Sequence, residues 1–143
     1  MRLIASSPEP KAVDTATPIA RALDVELRVE DDLREARRPG QVTARAEYVR
    51  LASAYLRGEH VAGWEPAAEV RARVSNCIER LVAATPGDVA VVSHGLALSL
   101  FLGLAPEEWE RIRLPAVAVV DPKSRRLLVP WTSAADRQAA QLS

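Results

Sequence analysis

His94 stands at the end of an apolar run, Val89-Ala90-Val91-Val92, and is followed by Gly95 and a second apolar run from Leu96 to Leu104. The first run predicts a strand buried on both faces and the second a helix, which places a titratable imidazole where a strand opens into a helix. In open α/β sheets ligands collect at the carboxyl ends of strands, and a helix N-terminus attracts anions through its unpaired N–H groups. A histidine at a strand end is equally read as a hydrogen-bonded structural residue, and this segment alone leaves both readings standing.

Two other segments bring polar side chains to the same kind of place. The turn Ser6-Ser7-Pro8-Glu9-Pro10-Lys11 follows a strand over Arg2–Ala5, and Glu35 lies just past a third strand, in Leu33-Arg34-Glu35. An imidazole, a cation and a carboxylate around a helix N-terminus suit a phosphate group. The cation and the backbone N–H groups neutralise the anion, and the carboxylate holds or gives a proton. Read blandly, Lys11 and Glu35 are solvated charges near a helix start and a loop.

The elements that must position these residues follow from spacing. Ala12, Ala16, Ile19 and Leu23 recur every three or four residues, an amphipathic helix in which Pro18 predicts a kink or a fresh start capped by Thr17. Val25, Leu27 and Val29 alternate with charges, a half-exposed strand. Tyr48, Leu51, Ala52, Tyr55 and Leu56 form a second helical stripe closed by Gly58, and Val70, Val74, Cys77, Ile78, Leu81 and Val82 a third, entered at Pro66. A short helix over Pro106–Trp109 precedes two strands, 116–120 and 126–129, joined by the turn Asp121-Pro122-Lys123-Ser124. Strands alternating with helices, then a terminal hairpin on the sheet edge, predict an α/β fold. Three layers are expected, a mostly parallel sheet with helices on both faces, in one domain over 1–131 with a polar tail over 132–143.

Composition bounds the function. The chain has 143 residues, 48% of them hydrophobic, enough for the core of one domain. Nineteen basic and nineteen acidic residues give no net charge, which argues against an extended nucleic-acid footprint. No apolar run approaches a membrane span and no secretory leader is apparent, so a cytoplasmic protein is expected. The lone Cys77 excludes an intrachain disulfide and reads as a small core residue. Two distant histidines and no cysteine pair make a poor metal-ligand set, so no metal and no other cofactor is expected.

In order along the chain, four segments resemble the histidine phosphatase superfamily, also called phosphoglycerate mutase-like. ASSPEPKAVDTATPIARALDV is similar to that family's S-S-P-x-x-[RK]-A-x-x-T-A segment and following helix. VEDDLREA resembles its L-x-E segment, and GWEPAAEVRARV its helix start, which opens on G-x-E and runs to R-V. VAVVSHGLALSLFLGLAPEEWERIRLPAVAVV resembles the second catalytic-histidine region and the strand after it. The resemblance implies that His94 contacts phosphoryl oxygens, that Glu35 gives a proton to the leaving group, and that Lys11 stands where many members bind phosphate with an arginine. Ser7 and Gly95 join them as phosphate-binding residues. Lysine lacks the bidentate fork, so its hold on planar oxygens is weaker.

The family begins with a strand ending in Arg-His-Gly, whose histidine is phosphorylated during turnover. This sequence contains no such motif, and its other histidine, His60, falls in a surface loop. The expectation is a truncated phosphoglycerate mutase-like fold, unless the natural start lies upstream. Loss of the middle strand leaves neighbours unpaired, so the remaining strands close up or the chain forms a homodimer through the exposed sheet. The leading functional expectation is a degenerate phosphatase, a pseudoenzyme that binds a phosphorylated small molecule, or a phosphate or sulfate anion, without phosphohistidine turnover. Its rivals are a residual phosphomonoesterase using His94, Glu35 and Lys11, and an interaction module using Trp64, Trp109 and Trp131. The segment from Thr43 to Pro66 corresponds to the region that shapes selectivity in the family, and no substrate is legible in it.

Overall fold

The computed structural model describes residues 1–40 and 44–142, so Thr43 and Ser143 lie outside the described residues. Three parallel strands form the central sheet in the order β2 (Glu26–Val29), β1 (Leu3–Ser6), β3 (Val89–Val92). Ser6 of β1 stands opposite Val29 and Val92, so all three strands end on one edge. The Ser7 N–H donates to the Val92 carbonyl at 2.9 Å and the Glu30 N–H to the Ser6 carbonyl at 2.8 Å, which continues the ladder into the loops above that edge.

Side-chain alternation along β1 sorts the layers. Ile4 packs with Ala16 and Ala20 of α1 (Pro10–Leu23) on one face. Leu3 and Ala5 join the larger core on the other, built by α2 (Arg45–Leu56), α3 (Ala67–Ala84) and α4 (Gly95–Leu102). The expected stripe of α3 supplies Val70, Val74, Cys77, Ile78 and Leu81, all buried, at about 1.5–3 kcal/mol for each large apolar side chain. Cys77 is a core residue, and burial pushes its thiol up to about 11. Pro66 precedes α3 as its cap residue rather than opening it. No helix among the described residues is long and apolar enough to cross a membrane.

Three local expectations are corrected. Pro18 does not break α1, which runs unbroken from Pro10 to Leu23; Thr17 caps nothing and instead donates its hydroxyl to the Val13 carbonyl at 2.8 Å. The strand β3 is half-exposed along its length, not buried on both faces, because its ladder is filled only on the β1 side. The hairpin of β4 (Ala116–Val120) and β5 (Leu127–Ser133) is a separate two-stranded sheet, not an edge of the main one, with Val117, Val119, Leu128 and Val129 exposed. Among the described residues, then, the strands do not close up between β3 and β4. The outer edge of β2 is blunted by the Glu26–Arg28 ion pair at 2.8 Å, whereas β3 carries no charge. The tail read as polar contributes its first residues to β5, and α6 (Ala134–Leu142) follows after α5 (Pro106–Glu110) and the hairpin.

The tryptophans do not form an exposed surface. Trp64 is buried, Trp109 and Trp131 are half-buried, and the rings of Trp64 and Trp109 flank Tyr48 at 6.2 and 6.0 Å.

Pro18 removes one helical N–H donor from the interior of α1 but also restrains the unfolded chain. Pro18→Ala is expected to stabilise the fold by about 1–2 kcal/mol in urea unfolding.

Candidate functional site

The shared carboxyl edge of the sheet collects the polar side chains. After β1 the chain turns through Ser6–Pro10, and Ser7 is fully buried there with its hydroxyl accepting the Glu9 N–H at 3.2 Å. After β2 comes a short helical turn, Asp31–Leu33, then the extended stretch that carries Glu35. After β3, Ser93 donates its hydroxyl to the Leu33 carbonyl at 2.7 Å, which ties this strand end to that stretch. His94 follows as the residue before α4.

These connections bring His94, Ser7, Glu9 and Glu35 together. His94 Nε2 lies 2.8 Å from Ser7 Oγ and 3.0 Å from Glu9 Oε2. An ionised carboxylate only accepts, so the contact to Glu9 places a proton on Nε2. The Glu35 N–H donates to the same Glu9 Oε2 at 2.7 Å. Two N–H donors from separate loops therefore converge on a single carboxylate oxygen.

The Glu35 side chain does something different. Its Oε2 accepts the Leu96 N–H at 3.1 Å, and its Oε1 accepts the Ala97 N–H at 2.8 Å and the Ala36 N–H at 3.0 Å. The carboxylate thus fills the first turn of α4, where unpaired N–H groups and the helix dipole favour an anion. The Gly95 N–H, one residue earlier, has no hydrogen-bond partner among the described residues. A Cβ at Gly95 would sit 3.2 Å from the Trp109 indole nitrogen, so glycine lets α4 start close beneath that ring.

Lys11 is exposed in the first turn of α1, and its ammonium makes no hydrogen bond or ion pair with a described residue. The structure does not join it to the cluster. His60 is exposed in the loop between α2 and α3. No group of three or more metal-type ligands occurs among the described residues.

A serine beside a histidine and a glutamate invites comparison with a hydrolytic triad. The geometry does not fit one, because Ser7 and Glu9 both meet Nε2 and no described residue bonds Nδ1 to orient the ring. What the arrangement offers is a small seat for one oxygen of an anion.

Glu65 and Arg73, both within the GWEPAAEVRARV segment that resembles the family, hold this seat in place. Arg73 of α3 donates to both oxygens of Glu65, at 2.9 and 3.0 Å, and to the main-chain carbonyls of Asp32, Arg34 and Glu35 at 2.7, 2.8 and 3.1 Å. The Glu65 side chain is only 2% exposed and also accepts the Arg37 N–H at 3.2 Å. Its main-chain carbonyl accepts the Tyr55 hydroxyl at 2.6 Å, and burial pushes that phenol up to about 12. The Arg73 hydrogen bond holds the Glu65 carboxyl below the usual glutamate range against the opposing effect of burial. Glu9 was legible only as a residue between two prolines.

A cleft of about 340 Å³ opens beside the cluster, lined by Glu9, Arg34, Glu35, Arg37 and Arg38 among others. Arg34 is paired with Asp31 at 2.7 Å, and Arg37 is 3.7 Å from Glu65 and mostly exposed. The Arg38 guanidinium lies over the Tyr48 ring at 4.9 Å and near Trp64 at 5.9 Å.

Comparison with known proteins agrees with the fold. The family description "histidine phosphatase superfamily (branch 1)" matches residues 1–125. The native structure of a mycobacterial glucosyl-3-phosphoglycerate phosphatase is 22% identical with a TM-score of 0.67, over 93% of this chain and 77% of that one. A structure called mycobacterial hydrolase 1 is 23% identical with a TM-score of 0.66, over 94% and 78%. The mycobacterial phosphatase complexed with VO3 is 21% identical with a TM-score of 0.59, over 91% and 73%. Identities at this level establish the fold. A search of the curated proteins finds no match.

Glu65→Gln leaves the Arg73 charge without its carboxylate, and breaking a buried pair from one side costs about 3–5 kcal/mol. The folded-state pKa of Glu65 is depressed, so its contribution is complete above the ordinary glutamate range and lost as pH falls through the folded value. Urea unfolding of both proteins should give the full difference at pH 7 and a shrinking one below about pH 4.5.

Proposed function

This chain belongs to the histidine phosphatase superfamily, and from that premise we propose that its pocket binds the phosphate group of a phosphorylated small molecule. These residues alone do not carry phosphohistidine turnover. The observation that carries the reading is the convergence of His94 Nε2 and the Glu35 N–H on one oxygen position, at 3.0 and 2.7 Å. The Gly95 N–H at the start of α4, one residue past His94, has no hydrogen-bond partner among the described residues. Donors fixed in advance by folding suit an oxyanion, because none must be ordered on binding.

Two lines support the phosphate class. The His94 segment resembles the family region of the second pocket histidine, which supports a role for His94 toward phosphoryl oxygens. The fold is also shared with a mycobacterial phosphatase that has been seen with VO3, an oxyanion. Turnover by the covalent route needs an imidazole free to accept the phosphoryl group. Of the two histidines here, His60 is exposed in its loop and His94 is engaged by Ser7 and Glu9. Glu35 is engaged too, by three backbone N–H groups, which suits holding α4 in place better than delivering a proton.

Inorganic phosphate at a hundredfold excess over its Kd should stabilise the fold by about 2.7 kcal/mol. The melting temperature should then rise by roughly 5–10 °C. His94→Ala should abolish the rise. A phosphate-release assay on p-nitrophenyl phosphate should stay at the blank. An acid-labile phosphoryl adduct on these residues, with steady phosphate release, would overturn the non-catalytic part of the reading.

A further inference from the structure

We propose that Glu9 is a built-in occupant of the phosphate seat, a latch that an entering oxyanion must displace into the arginine-lined cleft. The inference rests on the reading of the pocket as a phosphate site, and it names the residue that controls entry.

The Glu9 carboxylate uses only one of its oxygens in the seat. Its Oε2 takes both the His94 Nε2–H and the Glu35 N–H, while Oε1 has no partner among the described residues. The position of Oε2 is therefore where a ligand oxygen would receive the same two hydrogen bonds. A carboxylate and a phosphate oxygen cannot share it, and two like charges in contact repel strongly in a partly buried site.

Glu9 is free to leave. Its side chain is 34% exposed, against 14% for His94, and its backbone is anchored independently of the carboxylate: its N–H bonds to Ser7 Oγ and its carbonyl accepts the Ala12 and Val13 N–H groups. Rotation of the side chain alone vacates the seat. The cleft that Glu9 lines offers it a destination, for Arg38 faces the same space with no hydrogen bond to a described residue. The Tyr48 ring lies 4.9 Å from that guanidinium and consumes none of its hydrogen-bond donors. The inward state satisfies His94 and Glu35, and the outward state pairs Glu9 with Arg38 and leaves the seat to phosphate. Occupancy of the seat is thus set by a competition between two carboxylate partners, which is the form a switch requires.

Isothermal titration with inorganic phosphate tests this. Glu9→Gln keeps an acceptor for the Glu35 N–H but removes the charge, and it should lower the Kd about tenfold or more. Glu9→Asp retains the charge and a favourable helix-cap residue while withdrawing the carboxylate from His94, and it should tighten binding several-fold. Adding Arg38→Gln should enlarge the gain from Glu9→Gln, because wild-type Glu9 then has no cation to swing to. Binding by wild type that depends on His94 but is not tightened by either Glu9 variant overturns the latch and leaves the phosphate reading intact. Absence of binding by wild type and both variants overturns the phosphate reading itself.

Discussion

Arg73 of α3 places its guanidinium between the 32–35 segment and Glu65, donating to three main-chain carbonyls and to both oxygens of one buried carboxylate. Residues 34–40 form no helix or strand, so their backbone carbonyls must find donors elsewhere. A planar group with five donors is suited to the task, and a lysine could not meet three carbonyls and a carboxylate at once. The Glu35 side of the pocket descends from this anchor. The Glu35 N–H points at the seat because the peptide on its other side is held by Arg73, and the Glu35 side chain reaches α4 because its backbone is fixed. Since the pair is buried, its value lies in the geometry it enforces more than in net stability.

The pocket is also saturated with its own negative charge. A helix start, a protonated imidazole nitrogen and a loop N–H form an attractive place for an anion, and the chain supplies two carboxylates there. Glu35 is bound through both oxygens by three backbone donors, and Glu9 through one oxygen by two. The difference in anchorage separates their roles. Glu35 belongs to the framework that sets the start of α4, whereas Glu9 stands where a ligand stands. Pockets built for anions often fold around such internal stand-ins, because leaving several donors unsatisfied in a half-buried space costs free energy.

Much of this was legible from local pattern. The strand-to-helix change at His94 shows as a change of apolar period within a dozen residues, and the α3 stripe shows as spacings of three and four. Ser7, Glu35, His94 and Gly95 do gather at one sheet edge, and the family segments that marked them are the ones that build it. Lys11 does not join, because the helix it starts carries it to an exposed position. The burial of β3 was misread because a run such as Val-Ala-Val-Val records what a strand can bury and not how many neighbours it has. Glu65 and Arg73 fall within the segment GWEPAAEVRARV that resembles the family, but the three carbonyls that Arg73 meets lie about forty positions earlier, a distance at which spacing carries no signal. Glu9 was hidden for another reason: the direction of a side chain in a tight turn depends on where the next helix begins, and Pro10 fixes that only in three dimensions.

The oxygen position shared by the His94 imidazole and the Glu35 N–H is where a phosphate oxygen is proposed to bind. Backbone amide resonances followed during titration with inorganic phosphate address it directly. The account expects the Glu35 and Gly95 amides and the His94 ring to shift together and saturate, with α6 unchanged. Saturating phosphate that leaves the Glu35 amide and the His94 ring unmoved, or that moves only residues outside this corner, would contradict it.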